Sequence, residues 1–295
     1  MSHVAYVNGR YLPQKQAYVH IEDRGYQFAD AVYEVTCIWN GLPVDHAAHL
    51  KRLRRSLSEL RIAMPCSEAA LTAVFREIVR LNRVNRGTVY LQVGRGVAVR
   101  NHAFPVKTIT PSVVMVAKHG AGPAESVAQA GVKVLTQPDM RWGRVDIKST
   151  GLLPNALAKQ AAVEAKAFEA LFVTASGIVT EASASNAWIV TKDKALVTHP
   201  LSAEILGGVT RDTVLRLAKT AGYQIQERPF SMAEAMAAKE MFLTGTTTFV
   251  MPVVQVNERT IANGSPGSVS LDLRQLYVEY VNALDERAWA VDAPQ

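Results

Sequence analysis

Ala31-Val-Tyr-Glu-Val-Thr-Cys-Ile-Trp-Asn-Gly41 is rich in β-branched and aromatic residues and closes on Asn-Gly, the dipeptide favoured in two-residue hairpin turns. It reads as a long strand that turns back on itself. Asp45 then opens a segment with Leu50, Leu53, Leu57 and Leu60 at helical spacing, and a second helix is predicted from about Ser67 to Leu81. Upstream, apolar residues flank Asn8-Gly9, a further hairpin signal. Downstream, strands are predicted at Thr88–Val93 and Ser112–Ala117. A hairpin-rich sheet with helices inserted between its strands is an α+β pattern, not the regular alternation of a parallel sheet.

The stretch 121–130 is small, polar and turn-forming, and reads as a linker between a smaller domain, 1–120, and a larger one, 131–295. In the second part, strands are predicted near 132–135, 170–173, 187–190, 195–198, 223–228, 240–243 and 251–256. Helices are predicted near 155–168, after Gly208 to about Thr220, after Ser231, and at 272–284. The expectation is two α+β domains with largely antiparallel sheets and flanking helices.

The chain has 295 residues, 48% of them hydrophobic and 20% charged, enough apolar content for two sizeable cores. Two cysteines, Cys37 and Cys66, are too few for a disulfide framework and fit a reducing compartment. No basic stretch followed by an apolar core opens the sequence, and no window approaches the roughly 18 apolar residues of a membrane span, so a cytoplasmic protein with no membrane partner is expected. Residues 1–148 carry 20 Lys and Arg against 11 Asp and Glu; residues 149–295 carry 12 against 15. A basic half attracts small anions or nucleic acid. The arginines of the two first helices are mixed with acids and apolar residues, as on solvated helix faces, and no nucleic-acid-binding motif accompanies them, so no nucleic-acid partner is expected.

Familiar motifs fail. Gly94-Arg-Gly96 lacks a third glycine, and neither a Walker A nor a G-x-S-x-G pattern occurs. His46 and His49 are three apart but have no third ligand in sight; a solvated helix edge is expected, and no metal. Three other features carry chemistry. In Asp146-Ile-Lys-Ser-Thr150, a lysine at the edge of an apolar segment becomes a nucleophile towards carbonyls if desolvation lowers its pKa from about 10.4. The alternative, a lysine that carries its charge to water while its stem packs, stays open. Leu206-Gly-Gly-Val-Thr210 before a helix, and Thr244-Gly-Thr-Thr-Thr248 after a strand, are loops fit for a phosphate, or else an ordinary helix cap and a β-prone threonine run. Glu181, in Thr180-Glu-Ala-Ser-Ala-Ser-Asn186, lies between apolar strands and needs a proton or a cation if it is buried. A nucleophilic lysine, an acid and a phosphate site are together the requirements of pyridoxal 5'-phosphate.

With Glu22–Glu34, Asp139–Lys148, Leu157–Gln160 and Gly208–Asp212 as the matching stretches, the sequence resembles the class IV pyridoxal-phosphate aminotransferases. That family includes D-amino-acid and branched-chain aminotransferases and aminodeoxychorismate lyase, and the resemblance is strongest to the D-amino-acid enzymes. It implies the fold type IV architecture, a cofactor site between the domains, and a homodimer. It implies that Lys148 is the Schiff-base lysine and proton shuttle, and that Glu181 is the acid paired with the pyridine nitrogen. Arg52, Val209, Thr210 and Thr246 are implied as phosphate contacts, and Leu206 as the apolar residue backing the ring. Tyr33, Arg100 and His102 are implied to trap the substrate α-carboxylate, for which arginine offers two parallel donors. Substrates are then a D-amino acid such as D-alanine and a 2-oxo acid such as 2-oxoglutarate, used in ping-pong order; the alternative is another class IV activity, branched-chain L-amino-acid or (R)-amine transamination or aminodeoxychorismate lysis. Gly245 departs from the pattern, since a serine hydroxyl is expected there, and this bears on cofactor retention.

Overall fold

The computed structural model describes residues 3–120 and 125–291. It divides into two compact units: Met1–Ala121 with Ile147–Gly151 and Asn282–Gln295, and Gly122–Asp146 with Leu152–Val281.

The first unit is built on the expected hairpins. β1 (Val4–Val7) turns into β2 (Arg10–Pro13) through Asn8 and Gly9, both at positive φ, the conformation that Asn and Gly adopt at least cost. After the short α1 (Arg24–Phe28), β3 (Ala31–Trp39) runs through Asn40-Gly41 into β4 (Leu42–Pro43). The helices α2 (His46–Glu59) and α3 (Glu68–Leu81) follow, the latter capped by Ser67, then β5 (Arg86–Gly94) and β6 (Ser112–His119). The sheet order is β2-β1-β6-β5-β3-β4, antiparallel at every pairing. Leu50, Leu53 and Leu57 of α2 and Leu71, Phe75 and Ile78 of α3 are buried on Val89, Leu91, Val93 and Met115. Truncating any of these leucines to alanine should cost about 2–5 kcal/mol.

Two segments beyond residue 131 also belong to this unit. Ser149 bridges Val32 of β3, the Thr150 N–H donates to the Ala31 carbonyl, and Ile147 enters the core. Near the other end, Trp39 Nε1 donates to Asn282 Oδ1, and Trp289 packs on His46 and Phe75. Pairings with partners more than 100 residues away draw these segments out of the expected 131–295 domain. Of the expected linker, residues 121–124 lie outside the described residues. Its remainder, Glu125–Ala130, is the helix α4 of the second unit.

The second unit continues with β7 (Val132–Pro138), α5 (Leu153–Glu164), β8 (Glu169–Val173), β9 (Ile178–Ala182), β10 (Asn186–Val190), β11 (Leu196–Thr198) and α6 (Val209–Thr220). After these come β12 (Ile225–Glu227), β13 (Phe230–Ser231), α7 (Met232–Ala237), β14 (Glu240–Gly245), β15 (Phe249–Val256), β16 (Arg259–Thr260) and α8 (Ser268–Asn282). The sheet order is β12-β11-β10-β14-β15-β7-β8-β9-β13, with β16 on β15. Three of its pairings are parallel (β15–β7, β7–β8 and β11–β12), and the rest are antiparallel. β10, β11 and β14 are buried almost throughout, which is why they read as continuous apolar runs. Among the described residues no helix is long and apolar enough to cross a membrane.

Candidate active site

In the first unit, alternation along β3 sends Tyr33 and Glu34 to opposite faces. The Tyr33 N–H donates to the Lys148 carbonyl (3.0 Å), the Lys148 N–H donates to Ser56 Oγ (3.3 Å), and Lys148 Nζ stands 4.2 Å from the centre of the Tyr33 ring. Lys148 and Tyr33 are thus neighbours. Tyr33 in turn stacks on Tyr90, whose phenol is pushed up to about 12 by burial and by Tyr33.

On the other face, Glu34 is 2% exposed and meets α2. His49 and Arg52, one helical turn apart, share the face that packs on β3. Arg52 donates from Nε and Nη2 to the two carboxylate oxygens of Glu34 (2.8 and 2.7 Å), and His49 Nδ1 lies 2.7 Å from Oε2. Burial alone would raise the Glu34 carboxyl; the Arg52 guanidinium and the His49 ring more than reverse that and hold it at about 2. The expectation of a solvated edge for His46 and His49 is therefore wrong. Both are buried, His49 on Glu34, and His46 with Nε2 2.8 Å from Thr72 Oγ1 and its ring against Phe75. Burial, with His49 beside it, lowers the His46 ring to about 4.

Arg100 and His102 are exposed on the loop after β5 and both lie against Phe28: the Arg100 guanidinium is 5.1 Å and the His102 ring 5.5 Å from the Phe28 ring centre.

In the second unit, Glu181 on β9 is buried. Arg141 Nη1 donates to its Oε1, while Asn186 Nδ2 and the Leu206 N–H donate to Oε2, each at 3.0 Å. Arg141 is itself held by Asp139 (2.9 and 2.7 Å) and lies over the Phe172 ring. Thr180 donates to Asp139 (2.8 Å). Against the effect of burial, Arg141 keeps the Asp139 carboxyl low, and Asp139 and Glu181 keep the guanidinium high. The turn after β9 is fixed by a buried glutamate, Glu169, which accepts from the Ala184 N–H and from the hydroxyls of Ser183 and Ser185.

Asn186 organises the rest. It also donates to the Leu206 carbonyl (2.9 Å), and a side chain at Gly208 would put its Cβ 2.0 Å from Asn186 Oδ1, so glycine is required there. Gly208 is the N-cap of α6 and no side-chain hydrogen bond caps that helix, so the N–H groups of Val209 and Thr210 lie in the first turn of an uncapped end. In the sheet, Asn186 pairs with Thr244, at the start of the Thr244–Thr248 turn. Glu181, Leu206, Val209, Thr210 and the turn bearing Thr246 therefore gather at one end of the second sheet. Arg141, Asn186, Glu34 and Asp139 were not among the expected site residues. A lone acid on an otherwise apolar strand, as at Glu34, is the one signal that calls for a buried partner.

A family model for amino-transferase class IV matches residues 31–256. The chain is 41% identical over 267 residues to a D-alanine aminotransferase of Bacillus licheniformis, covering 90% of this chain and 93% of that one. It is 34% identical over 278 residues to a D-alanine aminotransferase of Staphylococcus haemolyticus, covering 94% and 98%. Among solved structures, a branched-chain amino acid aminotransferase from T.th. with pyridoxamine 5'-phosphate superimposes with a TM-score of 0.88 at 28% identity, covering 98% of both chains. One from Escherichia coli, at 20% identity and 97% of both chains, shares the fold with a TM-score of 0.86. The match over most of the chain means that it belongs to the class IV aminotransferases.

Proposed function

We propose that the protein is a pyridoxal-phosphate-dependent D-amino-acid aminotransferase, taking the amino group of a D-amino acid such as D-alanine and passing it to a 2-oxo acid such as 2-oxoglutarate. The observation that carries this reading is the setting of Glu181, a buried carboxylate fixed by Arg141, Asn186 and the Leu206 N–H. Such an acid suits a protonated ring nitrogen. The rest of the donor set fits the cofactor as well. The uncapped start of α6 and the Thr210 and Thr246 hydroxyls suit a phosphate, as does the Arg52 guanidinium.

When bound, the cofactor supplies an electron-accepting ring that stabilises charge developing at the substrate α-carbon. Lys148 takes and returns the proton at that carbon. Glu181, kept in place by its three donors, holds the proton on the ring nitrogen. Leu206, tied by its N–H to Glu181 and by its carbonyl to Asn186, offers an apolar wall to the ring. Arg100 and His102, with Tyr33, hold the substrate α-carboxylate. Because one protein alternately gains and loses the amino group, the two substrates enter in turn.

A homodimer fits this reading, since Tyr18, Ile21, Tyr26, Val97, Val99 and Val106 of the first unit are exposed. The cytoplasm fits two free thiols, one of them exposed.

The test is the visible absorption of the holoenzyme during titration with D-alanine. Loss of the yellow band, reversed by 2-oxoglutarate, is expected; a protein silent to D-alanine but responsive to L-leucine would move the substrate to the branched-chain class. Lys148→Ala should lose multiple turnover altogether, and a variant that still cycled would overturn the assignment of the lysine.

A further inference from the structure

Arg24 lies outside every role assigned above, yet it is one of the most deeply buried charges in the first unit, at 2% exposure. Its Nε donates to Asp30 Oδ2 (2.8 Å). Its Nη1 donates to the Asn101 carbonyl (2.5 Å) and at longer range to that of Ala103 (3.4 Å), and Nη2 reaches the His102 carbonyl (3.5 Å). One guanidinium thus holds three consecutive carbonyls of the segment that presents Arg100 and His102. A planar group with five N–H donors suits this task; an ammonium does not.

The fixed end of this clamp is itself braced. Asp30 also accepts from Arg95 Nε and Nη2 (2.7 and 2.9 Å), and Arg95 donates to the Leu60 and Arg61 carbonyls (2.7 and 3.0 Å). The Phe104 ring, at the far side of the segment, lies 3.6 Å from the Arg95 guanidinium. Within the segment the Ala103 N–H donates to Asn101 Oδ1 (3.0 Å), closing a tight turn. Phe28 completes the seat, with Arg24 at 4.8 Å from its centre and Arg100 and His102 against it. Two exposed side chains on a loop of 17 residues between β5 and β6 would otherwise sample many rotamers, and ordering them on binding would weaken the capture of a carboxylate.

We infer that Arg24 and Phe28 are positioning residues for substrate-carboxylate recognition: Arg24 fixes the backbone of 101–103, and Phe28 seats the Arg100 and His102 side chains. The inference rests on the reading of Arg100 as the carboxylate-binding residue.

A cycle of four holoenzymes tests it: the parent, Arg24→Lys, Arg100→Ala and the double variant. Each is measured for KM and kcat with D-alanine, and for binding of propionate, a carboxylate that cannot react, followed by the visible absorption of the bound cofactor. Arg24→Lys should raise KM and weaken propionate on the order of tenfold with kcat within about twofold, and should add nothing once Arg100 is gone. Phe28→Leu should behave in the same way, and carries the test if Arg24→Lys does not fold. A loss confined to kcat, or effects of the two substitutions that multiply, would overturn the inference. If Arg100→Ala changes KM and propionate binding while Arg24→Lys and Phe28→Leu do not, only the anchor falls. If Arg100→Ala changes neither, the reading of Arg100 falls and the anchor with it.

Discussion

Each unit carries a buried carboxylate clamped by an arginine. In the first unit Glu34, with His49, orients Arg52, the group proposed above as a phosphate contact. In the second, Arg141, braced by Asp139, orients Glu181, the acid proposed above to face the ring nitrogen. The supports differ as well. Glu34 is bound by two side chains from one turn of one helix, whereas Glu181 is bound by residues 40 positions upstream, 5 downstream and 25 downstream. A buried ion pair contributes little net stability, but removing one member strands the other. The first cluster is therefore a local device that tolerates change, and the second is a knot whose loss disturbs a whole end of the sheet.

The largest effect should come from cutting that knot. Arg141→Met leaves Glu181 and Asp139 buried without their cation, and should cost about 3–5 kcal/mol in urea unfolding. Arg52→Met leaves Glu34 with its hydrogen bond to His49, and should cost only about 1–3 kcal/mol. Its main signature should be loss of cofactor on dialysis, reversed by excess pyridoxal phosphate. Equal destabilisation by the two variants would break the comparison.

Acid should act on the first unit through two groups in sequence. The folded His46 ring titrates near 4, below its usual 6.5, so between those values the unfolded chain binds a proton that the folded one refuses, and stability falls as the pH drops. Glu34, held near 2 against a usual 4.5, stays charged when the unfolded chain is already protonated, and its contribution is lost from about pH 4.5 downward. Each step is on the order of 3 kcal/mol. His46→Leu should flatten the curve between pH 6.5 and 4, and Glu34→Gln the part below 4.5. An unchanged acid limb in both would show that neither group governs it.

The contrast between local and distant support also sets what the sequence could reveal. The hairpins at Asn8-Gly9 and Asn40-Gly41, and the helices after Ser67 and Gly208, carry their instructions within a few residues, and the structure has them where expected. Lys148 and Glu181 sit in short contexts that single them out, whereas Arg52 reads as one more arginine of a solvated helix face and is implied as a phosphate contact only by the resemblance. β9 was missed, since Thr180-Glu-Ala-Ser reads as a turn until Phe230 and Leu171 pair across it. Arg141 and Asp139 carry no separate signal in the sequence, because their partner Glu181 lies 40 residues beyond Arg141. The histidines of α2 read as a wet edge because Glu34 and Thr72, their partners, lie in other elements.

The smallest expected effect concerns Gly245, where the second unit departs from the pattern of its family. A Cβ at that position would lie 2.9 Å from Thr248 Oγ1 and 3.0 Å from Ser185 Oγ. The room a serine side chain needs is thus already bordered by two hydroxyls of this chain, and Ser185 is tied to the buried Glu169 (2.9 Å). Gly245→Ser should therefore not improve cofactor retention by simple addition of a hydroxyl. It should cost about 1 kcal/mol of stability, as a tight contact that one rotating hydroxyl relieves in part. Thr248→Ala in the same chain should recover that loss, because it removes the nearer of the two atoms, while Ser185 remains fixed by Glu169. Urea unfolding and the rate of cofactor loss on dialysis, measured for the single and double variants, separate the two possibilities. If Gly245→Ser alone retains the cofactor longer at unchanged stability, the phosphate turn is looser than its packing implies, and the contrast between a tolerant first cluster and a tightly knotted second one does not extend to the phosphate end.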